Sequence, residues 1–158
     1  MKLRLPLLTL LVAALPAAAA VTEIACPDLA TAAQVASCPS EDDLLFTFNG
    51  YCSDNARIYG KGAEVCTDYR LYRQKKNVAL WETTDGAFHA YVSCDLPPEA
   101  VKQAKASKIS VGTDGKMTRV ACSYGDGLVF SHRSKAVCRT ANAEACAGDA
   151  AACKAICD

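Results

Sequence analysis

"NVALWETTDGAFHAYVSC", residues 77–94, is the stretch on which the fold turns. Val78, Leu80 and Glu82 alternate with Ala79, Trp81 and Thr83, as successive residues of a strand point to opposite faces. Beyond Asp85-Gly86 the alternation resumes, with Phe88, Ala90, Val92 and Cys94 on one face and Ala87, His89, Tyr91 and Ser93 on the other. A period of two on both sides of an Asp-Gly turn specifies an antiparallel hairpin.

Towards the carboxyl end the strand pattern repeats. Pro98, followed by Glu99, opens a helix expected to run to Ser107, because proline suits the first turn and an acid complements its positive end. Ile109 to Val111 is a strand, Thr113-Asp114-Gly115 a turn, and Lys116 to Tyr124 the next strand. Gly125-Asp126-Gly127 turns the chain into a strand over Leu128 to Arg133. Eight of the last eighteen residues are alanine, which predicts helices, with Gly148 ending one and Asp149 capping the next. On such a helix Cys153 and Cys157 face the same way, so each ties the helix to another element rather than to its neighbour.

Towards the amino end, Tyr69 to Tyr72 and Leu44 to Phe48 read as strands, the latter followed by an Asn49-Gly50 turn. Glu41-Asp42-Asp43 reads as a solvated loop before that strand. Ser53 to Thr67 reads as an irregular stapled loop, with a short strand at Ile58 and Tyr59. Between Cys26 and Cys38, Pro27-Asp28 and the alanines predict a short helix that Pro39 stops.

The first twenty residues have the form of a secretory signal peptide. Lys2 and Arg4 precede an apolar run from Leu7 to Leu15, which is too short to span a bilayer, and Ala18 and Ala20 place cleavage before Val21. The expected mature chain is one domain, residues 21–158. Of 17 basic residues, two lie in the leader, leaving 15 against 17 acidic residues and a net charge of −2. That balance gives no electrostatic reason to bind nucleic acid or an anionic membrane.

Ten cysteines remain: Cys26, Cys38, Cys52, Cys66, Cys94, Cys122, Cys138, Cys146, Cys153 and Cys157. An even number in an exported chain is read as a set of disulfides, and periplasmic or secreted localisation follows. Roughly a thousand pairings are open to ten cysteines, and the sequence does not select among them. No pair has the C-x-x-C spacing of thiol oxidoreductases or haem attachment. A zinc site at Cys146, Cys153 and Cys157 is the less favoured reading, since oxidation removes thiolates. No metal and no cofactor are expected. The predicted class is α+β: a disulfide-stapled antiparallel β-sheet with short peripheral helices.

No assembled catalytic set is visible. There are two histidines, His89 and His132, and no serine sits in a G-x-S-x-G elbow. "YGKG" at residues 59–62 is a short glycine loop with no helix pattern behind it. Lys116, Arg119, His132, Arg133 and Lys135 gather near one hairpin, as a solvated strand edge or a basic contact surface. The turn at Gly125-Asp126-Gly127, stapled to the body through Cys122 and Cys138, is expected to project as a rigid tip.

The run from Trp81 through Tyr91-Val92-Ser93-Cys94 and Cys122-Ser123-Tyr124-Gly125 to Cys138 covers roughly a third of the chain. It resembles small, cysteine-bearing exported proteins of Gram-negative bacteria. Some of these are similar to periplasmic immunity proteins that protect against peptidoglycan hydrolases delivered by type VI secretion. The resemblance implies a non-enzymatic protein that occludes the active site of a cell-wall-degrading hydrolase of amidase or lysozyme type. Tyr124, Asp126, Ser131, His132 and Arg133 are the expected partner-binding residues, with Asp85 at the neighbouring tip. The other readings are a non-inhibitory secreted or envelope interaction module and, third, a small hydrolase using His89 or His132.

Overall fold

The computed structural model describes residues 21–141, Cys146 and residues 152–158. The expected signal peptide, and the cap and stop positions at Gly148 and Asp149, lie outside the described residues. In chain order the strands are β1 (Thr22–Ala25), β2 (Ala33–Gln34), β3 (Val78–Glu82), β4 (His89–Ser93), β5 (Lys108–Asp114), β6 (Met117–Ser123), β7 (Val129–Ser134), β8 (Cys138–Thr140) and β9 (Lys154–Cys157). The helices are α1 (Glu41–Tyr51), α2 (Asn55–Ile58), α3 (Tyr69–Lys76) and α4 (Pro98–Gln103), with 3-10 turns at Leu29–Thr31 and Ala63–Cys66.

All strand pairs are antiparallel. A six-stranded sheet runs β2-β3-β4-β7-β6-β5, and a three-stranded sheet runs β1-β9-β8. The hairpin at residues 77–94 forms as its alternation requires, with Trp81 opposite Ala90 and Ala79 opposite Val92 on the buried face. That face continues through Phe130, Val120, Cys122 and Ile109. Leu29, Val101 on α4 and Ala155 on β9 cover it, so the core lies between the large sheet and these three segments. The class is α+β, stapled by disulfides. The pairs are Cys26–Cys122, Cys38–Cys94, Cys52–Cys66, Cys138–Cys157 and Cys146–Cys153. Five such bridges suit an oxidising environment outside the cytoplasm. No helix among the described residues is long and apolar enough to cross a membrane.

Several local expectations are overturned. Leu44 to Phe48 is helical, and Asn49-Gly50 lies in the last turn of α1 rather than in a hairpin. Ser40 and Asp43 form a reciprocal capping box: the Asp43 amide donates to Ser40 Oγ (3.1 Å) and the Ser40 amide to Asp43 Oδ2 (3.2 Å). Glu41, Asp42 and Asp43 fill the first turn and oppose the positive helix end. Leu44, Phe48 and Tyr51 then share one face, and Phe48 packs edge-on to Tyr69 and Tyr72. Tyr69 to Tyr72 is likewise helix, started by Asp68, whose carboxylate accepts from the Arg70 amide (2.9 Å). Ile58 ends a helix capped by Asp54 and is not a strand.

The helix expected between Cys26 and Cys38 reduces to the 3-10 turn at Leu29–Thr31. Beyond it Ala33 and Gln34 pair with Glu82 and Trp81, because the outer edge of β3 offers unpaired backbone groups that a helix would leave unsatisfied. The helix after Pro98 stops at Gln103, four residues early, where Ala104 turns to an extended conformation and Ala106 enters the core. The alanine-rich tail ends in a strand: Cys153, Ala155 and Cys157 are buried at a period of two, between β1 and β8. Pairing on both sides overrides the helical propensity of alanine. Cys153 and Cys157 do bond elsewhere, to Cys146 and Cys138. The three cysteines weighed as zinc ligands are therefore all in disulfides.

Cys26–Cys122 spans a separation of 96 residues and Cys52–Cys66 a separation of 14. With the other bridges intact, replacing both cysteines by alanine is expected to cost about 4 kcal/mol for the first and about 3 kcal/mol for the second. Urea unfolding midpoints of the two double variants check this. The reverse order would show that the long bridge is not the dominant closure.

Candidate protein-binding surface

The turn after β6 is built from three successive residues in the left-handed region: Gly125 (φ 86°), Asp126 (φ 48°) and Gly127 (φ 75°). Glycine adopts this conformation freely and aspartate is among the few other residues that tolerate it. The turn closes through Tyr124 N–H to Leu128 O (2.9 Å) and Leu128 N–H to Gly125 O (2.8 Å). Tyr124 is only 7% exposed, and its hydroxyl donates to Pro27 O at 2.6 Å. Burial, and to a lesser degree the charge of Asp28, pushes that hydroxyl well above the usual tyrosine range. The disulfide from Cys122 reaches Cys26, next to Pro27, so the amino-terminal segment is tied to the base of the turn twice. Tyr124 is thus the root of the turn, and Asp126 is its exposed tip.

Asp85 stands elsewhere. Its carboxylate accepts from Thr83 Oγ1 (2.6 Å) and from the Ala87 amide (3.0 Å), which fixes the β3–β4 turn. Those two bonds, the Thr83 bond first, hold its carboxyl below the usual range, and the charge of His132 adds to them. His132 Nδ1 donates to Ala87 O (2.8 Å), and its ring lies against Phe88. In the antiparallel register His89 faces Ser131, so the β3–β4 turn lies beside the end of β7 and the Asp126 turn beside its start. The tips are about 20 Å apart, a strand length of six residues. The expectation that Asp85 neighbours the Asp126 tip is corrected by this register.

Ser131 and Arg133 occupy the solvent side of the six-stranded sheet. Ser131 is buried at its floor and accepts from Arg119 Nε (3.0 Å), while Arg133 pairs with Asp114 (3.0 Å). The six expected residues therefore fall into three places: Tyr124 with Asp126, Asp85 with His132, and Ser131 with Arg133. Arg119 and Tyr91 join the third group. Their strand parity was the available signal, since odd positions of β6 and β7 share that face. Among the described residues, neither histidine hydrogen-bonds a carboxylate or a hydroxyl. Comparison with protein-family models, curated proteins and solved structures finds no match to this chain.

A second polar cluster joins the helices to the sheet. Tyr69 Oη donates to Glu41 Oε1 (2.6 Å) and Arg73 Nε to Glu41 Oε2 (3.0 Å). The other two Arg73 nitrogens bind Asp95 in parallel (3.1 and 3.2 Å), and Asn77 Nδ2 donates to the same carboxylate (3.0 Å). Glu41 is held below the usual carboxylate range by Tyr69 and then Arg73, and Asp95 chiefly by Arg73. The Glu41 bond pushes the Tyr69 hydroxyl up to about 12. The acids read as a solvated loop thus contribute an anchor between α1 and α3 as well as a helix cap.

Two outcomes are expected. Tyr124→Phe leaves Pro27 O without its donor and should lower stability by about 1–2 kcal/mol, read from urea unfolding. The carboxyls of Glu41 and Asp95 sit lower in the folded chain than in the unfolded one. Their contribution is complete above the unfolded values near 4 and is lost as pH falls through the folded values. Hydrogen-exchange protection of α1 and α3 should fall below about pH 4 before that of β6 and β7 does, and Arg73→Gln should weaken this difference.

Proposed function

We propose that the protein is an extracytoplasmic inhibitor, periplasmic or secreted, that occludes the cleft of a cell-wall-degrading hydrolase of lysozyme or amidase type, as an immunity protein does. The observation that carries the reading is the pre-ordered Asp126 turn. Three left-handed residues, two cross-turn backbone bonds, the Tyr124 root and the Cys26–Cys122 bridge fix its shape before any partner arrives. A turn that is already ordered loses little entropy on docking. Its tip is a carboxylate, which suits both cleft chemistries. It can accept a hydrogen bond from the protonated acid of a glycosidase or take the open position on the zinc of an amidase. The loose likeness to immunity proteins over residues 81–138 agrees with it.

A non-inhibitory envelope interaction module is the alternative, favoured by the outward Phe46 (80% exposed) and Tyr59 on the helical side of the molecule. Lytic assays separate the two. The purified protein is expected to slow lysis of peptidoglycan by a lysozyme or by an amidase encoded beside it. Asp126→Ala should weaken that inhibition at least tenfold, corresponding to about 1.4 kcal/mol. Full lytic activity at a large molar excess of inhibitor against both enzyme types would refute the occlusion reading.

A further inference from the structure

We propose that the solvent side of the six-stranded sheet is a binding site for an acidic peptide segment, whose carboxylate is gripped by Arg119 and Arg133. Its two arginines stand on β6 and β7, and Gly127 is the one residue of the Asp126 turn that lines it.

Arg119 and Arg133 face each other directly across β6 and β7 and point to the same side. Like charges in that position destabilise a sheet, so the pair needs a counter-charge. Arg133 has one in Asp114. Arg119 is in none of the ion pairs formed among the described residues. It is nevertheless held in place, because its Nε donates to the buried Ser131 hydroxyl. That bond fixes the guanidinium plane and leaves its two terminal nitrogens to bind a ligand, the fork geometry that matches a carboxylate.

The surroundings are shaped for a chain. Two open depressions, of about 340 and about 440 Å³, meet at Arg119. Their floor is made of small residues, Ser131, Ala121, Ser110 and Gly112, so a backbone can lie close to the sheet. β4 and β7 are joined through a single register pair, His89 with Ser131, and part beyond it. Tyr91 stands at that parting, 73% exposed, beside Val129, and offers an apolar shelf for the residue next to the carboxylate. Two guanidinium groups against one carboxylate, that of Asp114, leave a single positive charge. This matches a singly charged side chain better than a phosphate dianion.

The test uses two blocked tripeptides, acetyl-Leu-Glu-Leu-amide and acetyl-Leu-Gln-Leu-amide, with inorganic phosphate as a third probe. Each is titrated into the full disulfide-bonded protein and followed by NMR of backbone amides and arginine Nε–H groups. The Glu peptide should shift Tyr91, Arg119, Val129, Ser131 and Arg133 together and bind at least fivefold more tightly than the Gln peptide. Arg119→Lys keeps the charge but loses the fork and should weaken it at least fivefold. Arg119→Gln removes the charge as well and should abolish binding. Equal binding of the two peptides overturns the proposal, as do undiminished binding by Arg119→Lys or by Arg119→Gln, or shifts spread over the surface lysines. Tighter binding of phosphate than of the Glu peptide overturns the choice of occupant. Lysis is not a readout here, so failure of the site is distinct from failure of inhibition.

Discussion

The covalent bond between Cys26 and Cys122 is the constraint on which the arrangement rests. It fastens the amino-terminal segment across the buried face of the large sheet at a cysteine with no exposed surface. Leu29 then lies in the core, the chain continues along the edge of β3, and Pro27 O meets the Tyr124 hydroxyl. A chain of this length buries a modest core, and cross-links that restrict the unfolded state supplement it. The helical segment depends on a second tether. Cys38–Cys94 and the Arg73–Asp95 pair bring α1 and α3 to the end of β4, where their tyrosines and Phe48 form a small cluster of their own.

The functional groups are distributed by strand register. A period of two sends Phe130 and Val120 inward and Ser131, Arg133 and Arg119 outward, while the direction of each strand sends the Asp85 and Asp126 turns to opposite ends. A partner that engages the Asp126 tip therefore approaches from a different side than one that covers Asp85 and His132. The arginine face lies between the two ends, continuous with β4 through Tyr91.

What the residues disclosed in advance follows the same physics. The hairpins around Asp85-Gly86 and Gly125-Asp126-Gly127 were legible because alternation and turn chemistry agree locally. The Leu44–Phe48 stretch reads as a strand because its apolar and aromatic residues favour one, yet it is helical. The deciding signal, Ser40 reciprocally bonded to Asp43, lies before the run. The end of the tail departs in the opposite direction, as its sequence reads as helix while β1 and β8 impose a strand on Lys154–Cys157. Tyr124 reads in the sequence as a contact residue, yet its role as an internal root depends on Pro27, which is distant in sequence. Disulfide connectivity is beyond reach for the same reason: Cys26 and Cys38 bracket one short stretch but bond far along the chain, to Cys122 in β6 and to Cys94 just past β4.

The order of the bridges bears on how the molecule matures. A chain entering an oxidising compartment from its amino end presents Cys26 and Cys38 first, while their partners Cys94 and Cys122 arrive many residues later. An oxidant that joins thiols as they emerge would couple the early cysteines to one another. The nested native set then requires thiol–disulfide exchange to undo such couplings. A catalyst of such exchange would therefore speed arrival at the native set.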